Sequence, residues 1–160
     1  MRKILLLLTL VSTSVLSQLA LAAPSLSNNV QNDKGQQVSL EEFKGRVVYL
    51  DFWASWCGPC RKSFPWMEKM HAKYRAQGLA VVAVNLDNDK ALADAFLAKM
   101  PAAFNLRFDP DGDVAHKFDL QGMPSSFVFN KQGELVQTHV GFFTEHADAY
   151  ENELVTLLKE

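Results

Sequence analysis

Cys57 and Cys60 are the only cysteines in the 160 residues, and they stand three apart in Ser55-Trp56-Cys57-Gly58-Pro59-Cys60-Arg61-Lys62. Two sulfurs at that spacing can serve as a staple, as half of a metal site, or as a pair that forms and breaks a bond. A staple closing so small a loop restricts the unfolded chain very little, and secreted domains that rely on staples carry several. A structural zinc site needs four soft or imidazole ligands. His71, His116, His139 and His146 are scattered singly, without paired spacing, and are expected at the surface. What remains is a reversible dithiol/disulfide pair. If a helix begins here, unpaired backbone N–H groups and the positive end of the helix dipole favour the thiolate of Cys57, which becomes the nucleophile. Cys60, one turn on, is placed to resolve the mixed disulfide. Gly58 allows the tight turn, and Pro59 suits a first helical position, where a missing N–H costs nothing.

The surrounding elements support that placement. Arg46–Trp53 is almost continuously apolar and rich in β-branched and aromatic residues, as in a central strand buried on both faces. Asp51 is the anomaly within it. From Pro59 to about Gln77 the pattern turns helical, with Phe64, Met67, His71 and Tyr74 near helical spacing and Gly78 as the stop. Pro65 should kink that helix, and Trp66 reads as packing. Leu79–Leu86 is a second buried strand, and Lys90–Met100 a helix with Leu92, Phe96 and Met100 on one face. Phe104–Phe108 reads as a short strand, Asp109–Gly112 as a turn and Val114–Phe118 as a short helix. Ser125–Asn130 and Leu135–Gly141 read as antiparallel strands, and Thr144 as the cap of a last helix bearing Tyr150, Leu154, Leu157 and Leu158. Upstream, Ser27–Val30 and Gln36–Val38 flank a turn at Asn32–Gly35, and Ser39-Leu40-Glu41-Glu42 fits a capping box. Together these predict an α/β domain with a mixed central sheet flanked by helices. The cysteines fall in the loop at the carboxyl end of the first long strand, where open α/β sheets place their chemistry.

The first 22 residues read as a segment apart. Arg2 and Lys3 precede an apolar run, and Ala20-Leu21-Ala22 supplies the small-x-small pattern of a cleaved signal peptide. Polar residues from Ser12 to Gln18 interrupt the roughly 18–20 apolar residues that a spanning helix needs. Residues 23–160 are then one exported, periplasmic, soluble domain, expected as a monomer. The formal net charge of −2 becomes more negative once Arg2 and Lys3 are removed. No basic run with interleaved aromatics appears, which argues against nucleic acid as a partner.

"LDFWASWCGPCRKSFP" resembles the thioredoxin active-site segment at Asp51, Phe52, Trp53, Ala54, Trp56, Cys57, Gly58, Pro59, Cys60 and Pro65. "QGMPSSFVF" resembles the thioredoxin-fold loop in which a cis-proline faces the disulfide, and Gly141 in "THVGFF" matches the glycine of a third substrate-contacting loop. The opening through "CGPC" is similar to the exported TlpA/ResA-like branch. The resemblance implies a thioredoxin fold with an N-terminal β-hairpin extension and a strand-helix insert at Ala102–Leu120. It implies a cis Met123–Pro124 bond, and a docking surface for an extended substrate segment built from Trp56, Gly58, Pro59, Met123, Pro124 and Gly141. It gives Asp51 the task of deprotonating Cys60, since burial raises a carboxyl pKa toward neutrality. Thioredoxin's lysine partner for that acid is replaced by Ala83, and Asp87 or Asp89 is the nearest alternative.

The expected activity is thiol–disulfide oxidoreduction on protein thiols and disulfides, chiefly as a reductant, with electrons from a membrane thiol donor. No metal or cofactor is expected beyond the Cys57–Cys60 disulfide. Cytochrome c maturation and envelope thiol homeostasis are the roles that the branch suggests. A Cu(I) metallochaperone using the two thiolates, and a more oxidising disulfide-forming protein, are the alternatives.

Overall fold

The computed structural model describes residues 24–160; the signal-peptide reading of 1–22 lies outside them. The described residues form one seven-stranded mixed sheet, in the order β2-β1-β5-β4-β3-β6-β7. Its centre is β3 (Val47–Trp53) beside β4 (Leu79–Asn85), parallel and buried at every position. That is why both run apolar without alternation. β6 (Ser125–Phe129) pairs antiparallel with β3, and β7 (Leu135–Val140) with β6. β1 (Asn29–Gln31) and β2 (Gln37–Ser39) make the N-terminal hairpin, with Val30 opposite Val38. The insert is β5 (Asn105–Phe108), parallel to β4, followed by α3 (Asp113–Lys117).

Odd-numbered residues of β3 face α1 (Cys60–Tyr74), α2 (Lys90–Leu97) and α4 (Ala147–Lys159), and even-numbered ones face α3 and the N-terminal segment. Trp53, at the end of β3, meets Phe64 of α1 and Phe96 of α2 with ring centroids 4.8 and 4.7 Å away. This aromatic knot is the floor beneath the cysteine loop. Trp53→Ala should cost about 3–5 kcal/mol in denaturant unfolding. α1 continues past Pro65, one backbone donor short. Trp66 packs against Tyr49, Phe142 and Tyr150, as the packing reading held.

Several local expectations are corrected. His71 is buried, because its place on the Phe64–Met67–Tyr74 stripe of α1 overrides the polarity of its ring. Burial lowers its pKa, and its Nδ1 has no partner. Leu92 is exposed: α2 ends at Leu97 and buries Ala93 and Phe96 instead. Thr144 does not cap the last helix, since a short 3-10 turn over Thr144–His146 leads into α4. Only half of the capping box forms. Ser39 accepts from the Glu41 N–H, while Glu42 turns away to pair with Arg107.

Candidate active site

β3 delivers the chain into a turn in which the Cys57 N–H donates to the Ala54 carbonyl at 3.0 Å. Cys57 and Cys60 are joined in a disulfide with their Cα atoms 5.4 Å apart. Pro59 holds helical angles (φ −61°, ψ −29°) as the N-cap of α1, one residue before the position expected for it. The Cys60 N–H points back at Cys57 Sγ, 3.2 Å away. In the reduced state this donor and the helix N-terminus both favour negative charge on Cys57 rather than Cys60. Burial adds a second asymmetry: Cys60 is sealed at 0 % exposure, whereas Cys57, at 4 %, lines a groove.

That groove has a volume of about 720 Å³. Trp56, Cys57, Gly58 and Pro59 form one wall and Met123 part of the other, with Trp56 the most exposed large apolar residue at 69 %. The Met123–Pro124 bond is cis. Gly141 does not line the groove; its N–H donates to the Pro124 carbonyl at 2.7 Å, tying the start of β6 to the end of β7. At φ +84°, with a Phe143 ring atom 3.2 Å from where a Cβ would stand, the backbone favours glycine there. Leu86, Ala115, His116 and Leu120 complete the groove on the insert's side. Sequence reading located the insert but missed these residues. Leu86, Ala115 and Leu120 are plain aliphatic residues with no chemical signature, and His116 read only as a lone surface histidine.

Asp51 is 1 % exposed, and its Oδ2 has no hydrogen-bond partner. Burial pushes its pKa well above the ordinary value of 3.8. Ala83 stands opposite it on β4, so no cation occupies that register. Neither Asp87 nor Asp89 makes a hydrogen bond to Asp51. Asp87 gives its carboxyl oxygens to Ser55 and Asn85, and Asp89 caps α2 through the Ala91 N–H. On the far side of Asp51, register pairs it with Ser126 and Ser126 with His139.

A mixed sheet carrying a disulfide at a helix N-terminus, with a cis-proline loop beside its groove, defines a thioredoxin-fold protein with a Cys-x-x-Cys disulfide at an open groove. A family model described as Redoxin matches residues 19–156, and the chain belongs to that family. It is 32% identical over 116 residues to the thiol-disulfide oxidoreductase ResA of Bacillus subtilis, covering 72% of this chain and 65% of that protein. ResA of Halalkalibacterium halodurans is 31% identical over 128 residues, covering 79% and 73%. The chain thus spans just under two thirds of the Bacillus subtilis relative. A Chlorobium tepidum crystal structure, provisionally designated thiol:disulfide interchange protein DsbE, is 44% identical with a TM-score of 0.80, covering 87% of this chain and 99% of that one.

Proposed function

We propose that this chain is an exported reductant of protein disulfides, with residues 1–22 removed as the export signal. The Cys57 thiolate attacks one sulfur of a substrate disulfide, forming a mixed disulfide and releasing a substrate thiolate that takes up a proton. Asp51 accepts the proton of Cys60, directly or through water, and Cys60 attacks Cys57 Sγ. The second substrate thiolate leaves, and the two electrons that reduced the substrate now sit on its sulfurs. A dithiol donor, expected at the membrane, must return the Cys57–Cys60 disulfide to its reduced form by the same exchange. Among the described residues no helix is long and apolar enough to cross a membrane.

The observation that carries this reading is the asymmetry of the pair, with Cys57 at an apolar groove and Cys60 sealed behind it. The groove is lined largely by hydrocarbon, which suits a polypeptide segment; Trp56, Gly58, Pro59 and Met123 line it and are the residues we assign to docking, while Pro124 and Gly141 brace the loop behind them through the Gly141 N–H. The kinship with proteins named ResA and DsbE favours envelope thiol homeostasis, including apocytochrome thiols, as the setting. The test is insulin-disulfide reduction together with equilibration against glutathione. Reduction of insulin, and a potential near the thioredoxin value of about −270 mV, are expected. A value near about −120 mV would make the protein a disulfide donor instead. Stoichiometric Cu(I) binding without insulin reduction would establish a metallochaperone.

A further inference from the structure

Asp87 is a buried acid with 4 % exposure that the exchange reaction does not use. Its Oδ2 accepts the Ser55 N–H at 2.9 Å and the Asn85 Nδ2–H at 2.8 Å, and its Oδ1 accepts the Ser55 hydroxyl at 2.8 Å. Its own N–H donates to Asn85 Oδ1 at 3.0 Å, which locks the two side chains together. Arg61 of α1 reaches the Ser55 carbonyl at 3.3 Å. Every polar group of Ser55 is therefore held, and Ser55 is the second residue of the turn that ends at the Cys57 N–H. Trp56, the next residue, stands out at the groove rim.

We propose that Asp87 is a positioning residue: with Asn85 it clamps Ser55, and through that turn it fixes Cys57 against the Cys60 N–H and holds Trp56 at the mouth of the groove. The inference rests on the oxidoreductase reading and deepens it. Asp87 touches no reacting atom. It acts because a turn held at one residue by two bonds to a fixed carboxyl has fewer alternatives for the next two, and a thiolate placed within reach of its donor is more acidic than one that wanders. Geometry, not charge, is what the clamp supplies. An asparagine at this position retains all three contacts, because its carbonyl oxygen accepts both N–H groups while its amide donates to a Ser55 hydroxyl that reverses role.

Three variants of the full chain test this: Asp87→Ala, Asp87→Asn and Ser55→Ala. Each is reduced and its Cys57 alkylated with iodoacetamide across pH, beside insulin reduction and a thermal melt. Asp51, Arg61, His116 and Asp119, the other charged or titratable groups of this region, stay as they are. Asp87→Ala is expected to move the alkylation midpoint toward that of free cysteine and to lower kcat/KM about tenfold. Ser55→Ala keeps the backbone bond and should lose about twofold in the same direction. Asp87→Asn should match the wild-type midpoint. A lower melting temperature with an unmoved midpoint in Asp87→Ala would make the acid merely structural and overturn the proposal. So would an Asp87→Asn that behaves like the alanine. If Asp87→Ala does not fold, an unmoved midpoint in Ser55→Ala overturns it equally. A wild-type protein that fails to reduce insulin sinks the oxidoreductase reading instead, which separates the two failures.

Discussion

Asp51 in β3 and Asp87 just beyond the neighbouring strand β4 are both buried acids, and the protein treats them in opposite ways. Asp51 lies inside a strand where every neighbour across the sheet is short or neutral, with Ala83 on one side and Ser126 on the other. Its Oδ2 is left unpaired, and burial raises its pKa. Asp87 sits where the strand has ended and the chain has turned, so its carboxyl meets three donors. Strand interiors spend their backbone donors on the ladder, and loops have donors to spare. One residue type thus stands unpaired and protonation-prone in the first setting and fully hydrogen-bonded to a loop in the second.

Removing the second sulfur has the largest expected effect, and it breaks the comparison outright. Cys60→Ser should abolish turnover and leave Cys57 joined to its partners as stable mixed disulfides, identified by mass spectrometry after trapping. Both proposed roles run through the sulfur pair, that of Asp51 on Cys60 and that of Asp87 on Cys57. Multiple turnover by this variant would show that resolution does not need Cys60, and the role given to Asp51 would go with it.

The next effect belongs to Asp51 alone. Asp51→Asn removes the proton acceptor and should slow insulin reduction about tenfold between pH 6 and 7. Near pH 9 the loss should shrink, because hydroxide and the rising thiolate fraction of Cys60 replace the missing base. Asp87→Ala should also recover toward pH 9, but it moves the alkylation midpoint of Cys57, which Asp51→Asn leaves in place. If both variants move that midpoint alike, the division between proton transfer and positioning fails.

How far the sequence revealed this division depends on where the information lies. Cys57, Cys60 and the cis-proline loop are legible because each is a contiguous motif with a local physical purpose. Asp51 is legible because an acid interrupts an apolar strand, and strand parity places it on the face of Val47, Tyr49 and Trp53. The partnership of Asp87 was not legible. Its nearness to Asp51 in strand order suggested a proton-handling role, but the direction of its side chain is set by the chain reversal after β4, which no periodicity reports. The groove wall failed for a related reason. Leu86, Ala115, His116 and Leu120 are ordinary residues until β5 and α3 fold them beside Cys57. His71 shows a third kind of miss, in which helical spacing had placed it on the buried stripe and its polarity argued for the surface; the spacing won.

A smaller effect separates substrate capture from loop placement. Leu120→Glu puts a charge on the insert wall, across the groove from Trp56. It should raise KM for a protein disulfide about fivefold, with kcat and the alkylation midpoint of Cys57 unchanged. Hydroxyethyl disulfide, too small to span the groove, should be reduced at the wild-type rate. A matching loss on the small substrate would mean that the insert acts on Cys57 itself, and the clamp would not be the sole control of its position.

The smallest effect is on stability, and its sign is opposite to that of acids held by ion pairs or hydrogen bonds. A carboxyl with a depressed folded-state pKa stabilises the fold above its unfolded pKa. Asp51 is the reverse, raised by burial above the ordinary 3.8. Below about pH 3.8 it is protonated in both states and contributes no pH-dependent term. As pH rises past that value the unfolded chain releases the proton while the folded chain keeps it, so stability falls with pH until the folded carboxyl also ionises. Asp51→Asn should therefore leave oxidised protein about as stable as wild type near pH 3.5 and make it more stable than wild type at pH 8. Urea unfolding at the two pH values measures the difference. A gain of the same size at both would trace the effect to packing or to the amide's own contacts, and Asp51 would lose its status as the buried acid that holds a proton.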